Sequence, residues 1–301
     1  MNEQIDRTLT VAAQNLATWQ HAAAENRELR LLQAAQLGAS IARAFLAGAL
    51  SDPDVLTLQT PVLAHVPPVS NAAALAHAMG VEEQLAFCRG YLTVAPFPLC
   101  EGEQPLPPPP AAPRVAFSDS YFSREALHAL SHVLPHAIPL VAPSFASVCE
   151  ELAGERSDFA LLPVEDSVTG ALAHILEEID RMEFIISHTC EVPYPDENRS
   201  VTIALLSKRY RPRSGKGERL LDVSVLAEDE HTLPDLLSAA LGCSMPLRRI
   251  TSRSVPYGTS GVMLLPTFSA SNGDVALFRA YLAAKHPRAQ ITGLRTHITI
   301  E

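Results

Sequence analysis

Ser157-Asp-Phe-Ala-Leu-Leu-Pro-Val-Glu-Asp-Ser-Val-Thr-Gly170 is the stretch from which the fold of this chain can be read. Phe159 to Leu162 is a short apolar run that reads as a buried strand, and Pro163 is expected to stop it. A polar cluster, Glu165-Asp166-Ser167, follows at once, and Gly170 is expected to open a helix carrying Leu172, Ile175, Leu176 and Ile179 on one face. Strand, polar loop and helix N-terminus in that order is where an α/β protein presents polar groups to a small ligand. A purely structural role is also open: Ser167 as a helix cap, with both carboxylates favoured by the helix dipole.

The alternation extends outward from this stretch. Upstream, Val115 to Phe117 reads as a strand, a helix follows from Ser123, Ile138 to Val141 is a second strand, and Ser144 caps a helix carrying Val148 and Leu152. Downstream, Phe184 to Ser187 and Val201 to Ser207 supply two more strands. Residues 114–207 are therefore expected to form a mostly parallel sheet with helices on its faces. Residues 220–301 have another rhythm. Strands are expected at Leu220 to Leu226, Pro246 to Val255, Gly261 to Phe268 and Gln290 to Ile300. Helices fall near Thr232, with Pro234 in the first turn, and over Asp274 to His286. This βαββαβ order is the ferredoxin-like split unit.

Two segments punctuate the chain. Glu101-Gly-Glu-Gln-Pro-Leu-Pro-Pro-Pro-Pro-Ala-Ala-Pro113 favours extended polyproline and reads as a semi-rigid linker. Lys208 to Arg219 holds six basic residues with Gly and Pro and reads as a solvated interdomain linker rather than a phosphate-binding patch. Residues 1–100 read as an Ala-rich helical domain, with Ile5, Leu9, Leu16 and Trp19, then Leu29, Leu32, Ile41 and Phe45, near helical period. Ser51-Asp-Pro-Asp54 interrupts it, and further helices are expected from Asn71 to Gly80 and from Glu82 to Tyr91.

Composition narrows the function. The chain has 301 residues, is 47% hydrophobic and carries a net charge of −10, which argues against nucleic-acid and anionic-membrane partners. No apolar run reaches the ~18 residues of a membrane helix, and the N-terminus lacks a signal-peptide layout. Five scattered cysteines with no C-x-x-C pair point to reduced core residues in the cytoplasm. The eleven histidines form no H-E-x-x-H set; His128 and His132, four apart, read as helix-face residues rather than metal ligands. His188 and Cys190 alternate onto one strand face, where an ordinary packing role outweighs a Cys–His nucleophile.

From Arg114 onward the chain resembles the prephenate dehydratase family with its C-terminal ACT regulatory domain. Val115-Ala-Phe and Phe122-Ser-Arg-Glu-Ala126 are similar to the family's V-A-Y/F and F-S-x-E-A, and Phe145-Ala-Ser-Val148 to its S-F-x-x-V. Ser157 to Ser167 is similar to A-D-Y-G/A-V-V/L-P-I/V-E-N-S. The resemblance implies one periplasmic-binding-protein-like lobe followed by an ACT-like domain that forms homodimers, an aromatic small-molecule ligand, and no cofactor or metal. It places substrate contacts on Ser120, Ser123, Glu165, Asp166, Ser167 and Gly170. Effector contacts fall on His231, Leu233, Ser252 and Arg253.

The same resemblance marks departures. Only Tyr194 to Glu197 stands where the family inserts a complete second lobe, and a cleft with one wall does not exclude water. The family's T-R-F falls on Val201-Thr-Ile203, which leaves Thr202 as the one candidate for catalysis; Arg199 would serve only under a shifted register. The loop G-P-x-G-T is replaced by Ser118-Asp-Ser-Tyr121, and Asn of E-N-S by Asp166, both adding negative charge. The effector glycine of G-A-L is replaced by His231, and E-S-R-P survives partly as Thr251-Ser-Arg-Ser254. The expected protein is a degenerate relative of the dehydratases acting by binding or regulation, with an active, divergent dehydratase and a scaffold without ligand as the alternatives. A helical segment ahead of such a region resembles the fused chorismate mutase of bifunctional enzymes. Five arginines and no lysine in residues 1–100 are a poor clamp for a dianion, so mutase chemistry is not expected.

Overall fold

The structure, a computed structural model, describes residues 26–40, 42–43, 46, 79–95, 106–212, 216–255, 261–286 and 288–300. The helix expected from Asn71, the Ile5 to Trp19 repeat, the first half of the proline linker and the turn at Pro256-Tyr-Gly258 lie outside these residues. Helix α1 covers 26–40 and α2 Val81–Leu92. Then follow β1 (Arg114–Ser118), α3 (Tyr121–Ala129), β2 (Ile138–Ala142), α4 (Phe145–Ala153), β3 (Phe159–Asp166), β4 (Gly170–Ala171), α5 (Ala173–Arg181), β5 (Ile185–Pro193) and β6 (Ser200–Ser207). The chain continues with β7 (Glu218–Ala227), α6 (Thr232–Gly242), β8 (Leu247–Ser254), β9 (Val262–Ser269), α7 (Val275–Lys285) and β10 (Gln290–Thr299). Two compact units emerge, a helical one holding α1, α2, α6 and α7 and a sheet unit holding the rest.

In the helical unit, α2 packs against α6 and α7. Its buried side, with Leu85, Phe87, Cys88 and Tyr91, joins Leu236, Ala239, Phe278 and Tyr281 in burial. α1 approaches α2 so closely that a Cβ on Gly38 would collide with the Phe87 carbonyl, and one on Gly90 with that of Ala35. Two ion pairs bridge the same helices: Arg27 with Glu82, and Arg30 with Glu83 at 3.0 Å. Two of the five arginines of this region are thus already matched to carboxylates.

The sheet unit is built on a strand order β2-β1-β3-β6-β5-β10-β7-β9-β8, with β4 beside β3. Side-chain alternation sorts its apolar residues into two layers. Val115, Phe117, Phe159, Leu161, Ile203 and Leu205 join Ala126 and Leu130 in one buried cluster, while Ala116, Ala160, Leu162, Ala204 and Leu206 join Val148, Leu152, Ile175 and Ile179 in another. The central strands are apolar on both faces because helices cover both.

The sheet is mixed, not mostly parallel as expected. β1 is parallel to β2 and β3, but β6 lies antiparallel between β3 and β5. The connection from Pro193 to Ser200 is too short for a crossover, so β5 and β6 must form a hairpin. Strands β7 to β10 take the order β10-β7-β9-β8, which realises the βαββαβ pattern, and β10 also pairs in parallel with β5. One sheet therefore runs through both regions that the sequence sets apart.

Two further expectations at the opening stretch are corrected. Pro163 does not end the strand; β3 continues to Asp166, with a bulge between Pro163 and Glu165 against β6. β1 pairs only as far as Leu161, so Pro163 stands at a bulge beside an open edge, where its missing N–H costs little. Gly170 does not start a helix either. It takes φ +80° in β4, antiparallel to β3, and α5 begins at Ala173 after Leu172. Between them Ser167 to Thr169 make a tight turn, for which glycine supplies the left-handed backbone.

Candidate functional site

The resemblance placed substrate contacts at the C-terminal ends of β1 and β3, and the topology brings these ends together. The helix expected from Ser123 starts instead at Tyr121, with Ser120 as its cap. Ser120 Oγ accepts the Ser123 N–H at 3.1 Å and donates to Ser123 Oγ at 2.9 Å, so both hydroxyls close a helix end. Asp119 beside them pairs with Arg124 at 2.6 Å.

Asp166 is the centre of the site. It is 6% exposed, and its Oδ1 accepts the N–H groups of Val168 at 2.9 Å and Thr169 at 3.2 Å, which folds the turn. Arg199, on the far side of the β5–β6 hairpin, grips the same carboxylate, with Nη2 2.6 Å from Oδ2 and Nε 3.1 Å from it. The guanidinium hydrogen bond, then the Val168 amide, hold the Asp166 carboxyl down at about 2. Arg199 in turn lies 4.7 Å from the ring centroid of Tyr194, and Tyr194 meets Phe122 edge-on at 4.6 Å. The Tyr194 N–H donates to the Arg199 carbonyl at 2.8 Å, which closes the hairpin.

The flanking residues are engaged in the same way. Ser167 Oγ accepts the Ser200 N–H at 2.9 Å, and the Ser167 N–H donates to the Ser200 carbonyl at 2.9 Å. Ser167 is thus a strand-to-strand tie, not the helix cap of the structural alternative. Glu165 pairs with Arg249 of β8. Since β8 is six strands from β3 in the sheet order, about 4.8 Å per step would put them roughly 29 Å apart on a flat sheet. The sheet must therefore coil strongly toward this face.

Thr202 lies directly opposite Glu165 on one side and Glu191 on the other, while Val201 and Ile203 turn into the core at 6% and 1% exposure. The alternation argued from sequence holds. On the Thr202 face a belt of polar side chains crosses the sheet. Glu191 accepts from Ser200 Oγ at 2.6 Å, Thr189 Oγ1 is 3.0 Å from His297 Nδ1, Arg295 pairs with Asp222, and Thr267 Oγ1 donates to Asp222 at 2.6 Å. Burial pushes Arg295 down to about 10, against the pull of Glu165. Sequence reasoning missed Arg249 and Arg295, whose roles depend on pairings more than 70 residues away, and weighed Arg199 only as a substitute catalyst.

The predicted effector residues divide between the units. His231 precedes α6 in the helical unit, where Asp229 Oδ1 accepts the N–H of His231 at 3.0 Å and of Thr232 at 2.8 Å; Leu233 is half-buried in the first turn. Ser252 and Arg253 belong to β8 in the sheet unit, with Arg253 3.5 Å from Asp180. His188 and Cys190 are buried, and desolvation moves them in opposite senses, His188 down to about 4 and the Cys190 thiol up to about 12. That leaves a neutral imidazole and a protonated thiol, the reverse of an activated pair. Cys88, Cys149 and Cys243 are likewise buried and free. Among the described residues no group of three potential metal ligands converges, and no helix is long and apolar enough to cross a membrane.

Neither a known family model nor a curated protein matches the sequence. Solved structures similar to the chain include the prephenate dehydratase of Streptococcus mutans, at 15% identity over 63% of this chain and 100% of that one, TM-score 0.48. The prephenate dehydratase of Arthrobacter aurescens in complex with L-Phe is 15% identical over 61% of this chain and 89% of that one, TM-score 0.44. GqqA, a quorum-quenching acylase, is 18% identical over 61% of this chain and 94% of that one, TM-score 0.46. The likeness is one of fold.

Proposed function

We propose that the chain is a prephenate-dehydratase-like protein of phenylalanine metabolism that has lost dehydratase catalysis and acts as a dimeric binding or regulatory protein. The observation that carries this is the Asp166–Arg199 pair across a hairpin in which six residues join β5 to β6. Dehydration of prephenate expels a ring hydroxyl and a carboxylate together, and it needs a donor at the leaving oxygen and a free cation at a carboxylate. Here the cation beside the motif is held by Asp166, and Thr202 lies between two carboxylate-bearing positions. The hydroxyls of Ser120, Ser123 and Ser167 are engaged within the protein. An anionic substrate meets a site already satisfied by its own side chains.

Dimerisation through the ACT-like βαββαβ segment is supported by β8, which ends the sheet and exposes Leu247 and Ile250 at 37% and 36%. Incubating purified full-length protein with prephenate, with Thr202→Ala as control, is expected to yield phenylpyruvate at no more than the spontaneous rate. Calorimetric titration with L-phenylalanine is expected to saturate. Turnover that disappears in Thr202→Ala overturns the loss of catalysis in favour of an active, divergent dehydratase. Absence of both turnover and binding overturns the ligand and leaves a scaffold.

A further inference from the structure

The end of the sheet opposite the candidate site holds a second constellation. β1 and β3 run parallel and β6 antiparallel to β3, so the first residues of β1 and β3 and the last of β6 share one edge; Phe159 pairs with both Val115 and Ser207. Arg114 opens β1, Ser157 and Asp158 immediately precede β3, and Lys208 to Tyr210 follow β6. A groove of about 180 Å³ lies among Arg114, Ser157, Lys208, Arg209 and Tyr210. The basic run read from sequence as a solvated linker thus delivers its first two cations to a concave surface.

Three features of this groove point to an anion. Two carboxylates face three cations: Arg209 pairs with Glu155, and Asp158 accepts the Arg114 backbone N–H at 2.7 Å and lies 3.7 Å from its Nε. Lys208 pairs with no carboxylate among the described residues and keeps a net positive charge at the rim. Second, Ser157 is 3% exposed and its Oγ has no hydrogen-bond partner within the protein, a rare state for a buried hydroxyl. Third, three of the last four carbonyls of the nearby α4 are already engaged within the chain. Glu150 O accepts from Gly154 at 2.9 Å, Glu151 O from Arg156 and Ser157 at 2.9 and 3.1 Å, and Leu152 O from Glu155 at 3.2 Å.

We propose that this groove binds a small oxyanion of the phosphate class, with Lys208, Arg114 and Arg209 supplying charge and Ser157, which lines the groove, turning its buried hydroxyl to donate to it. Guanidinium and ammonium groups match the several acceptor oxygens of a phosphate, and Ser157 gains the partner the protein does not provide. The volume is below the roughly 300 Å³ at which drug-sized ligands begin, so a phosphate or a small phosphate monoester fits better than a nucleotide. The site does not depend on the function assigned to the other end of the sheet.

Full-length protein is titrated with inorganic phosphate and with methyl phosphate by calorimetry, with chloride at matched ionic strength as the control. Saturable binding to the wild type is expected, weakened about tenfold in Lys208→Ala and about fivefold in Ser157→Ala, the fold-change of losing one charged and one neutral hydrogen bond. Tighter methyl phosphate assigns an esterified ligand and tighter inorganic phosphate the free ion. Lys208 is exposed, so its variant tests the site without risk to the fold. Binding that never saturates, or that is equal in the wild type and both variants, overturns the proposal.

Discussion

The two ends of β3 treat their polar groups in opposite ways. At the C-terminal end Glu165 holds Arg249, Asp166 holds Arg199 and two turn amides, and Ser167 ties Ser200. At the N-terminal end Ser157 is buried with an unpartnered hydroxyl, and Lys208, which lines the same groove, has no carboxylate partner among the described residues. In α/β sheets ligands ordinarily sit beyond the carboxyl ends of the strands. Here that end is closed by ion pairs from the β5–β6 hairpin and β8, and the other end holds an unpartnered hydroxyl. A motif is therefore poor evidence of a site until the partners of its side chains are known.

Between these ends lies the apolar middle of the strand, which sets the scale of comparison. Phe159 is 0% exposed among Val115, Leu161 and Leu205, and Phe159→Ala is expected to cost about 3–5 kcal/mol in urea unfolding. A loss under about 1 kcal/mol would mean that the sheet collapses around the cavity. The next effect belongs to the closed end. Arg199→Ala leaves the Asp166 carboxylate with only its turn amides. The wild-type pKa of about 2 lies below the ordinary carboxylate value, so the pair's contribution is present above pH ~4 and is lost as pH falls through about 2. The variant should unfold at lower urea than the wild type at pH 7, and the two should converge toward pH 2. Parallel curves across that range would show that Arg199 acts by packing on Tyr194 instead.

What the sequence made legible follows the range of each interaction. Alternation in Phe159 to Leu162 and Val201 to Ser207, and caps such as Ser144, are local, and the elements they imply are present. The βαββαβ order was legible for the same reason. Pro163 and Gly170 misled because each has a local meaning that strand pairing overrides. Proline ends an isolated strand but is accepted at a bulge, and glycine followed by a helical repeat looks like a cap when it is a hairpin turn. The engagement of Glu165 and Asp166 was not legible at all. Arg249 is 84 residues from Glu165 by the numbering and Arg199 is 33 from Asp166, and neither pairing leaves a spacing signal.

The smaller predictions put the same question to both ends. Gly170→Ala forces a side chain onto φ +80°; nothing lies within 4 Å of the added Cβ, so backbone strain alone should cost about 1–2 kcal/mol. Serine to alanine then compares the two ends directly, since it removes one hydroxyl and little else. Ser167→Ala takes an acceptor from the Ser200 N–H at an exposed turn and should cost about 0.5–1 kcal/mol. Ser157→Ala removes a buried hydroxyl that bonds to nothing in the protein. Its loss in urea unfolding without phosphate should be close to zero, or slightly negative, because the desolvation cost of an unsatisfied group disappears with it. If both substitutions cost the same, Ser157 has a partner in the free protein, and the contrast between the ends of β3 is one of position rather than of satisfaction.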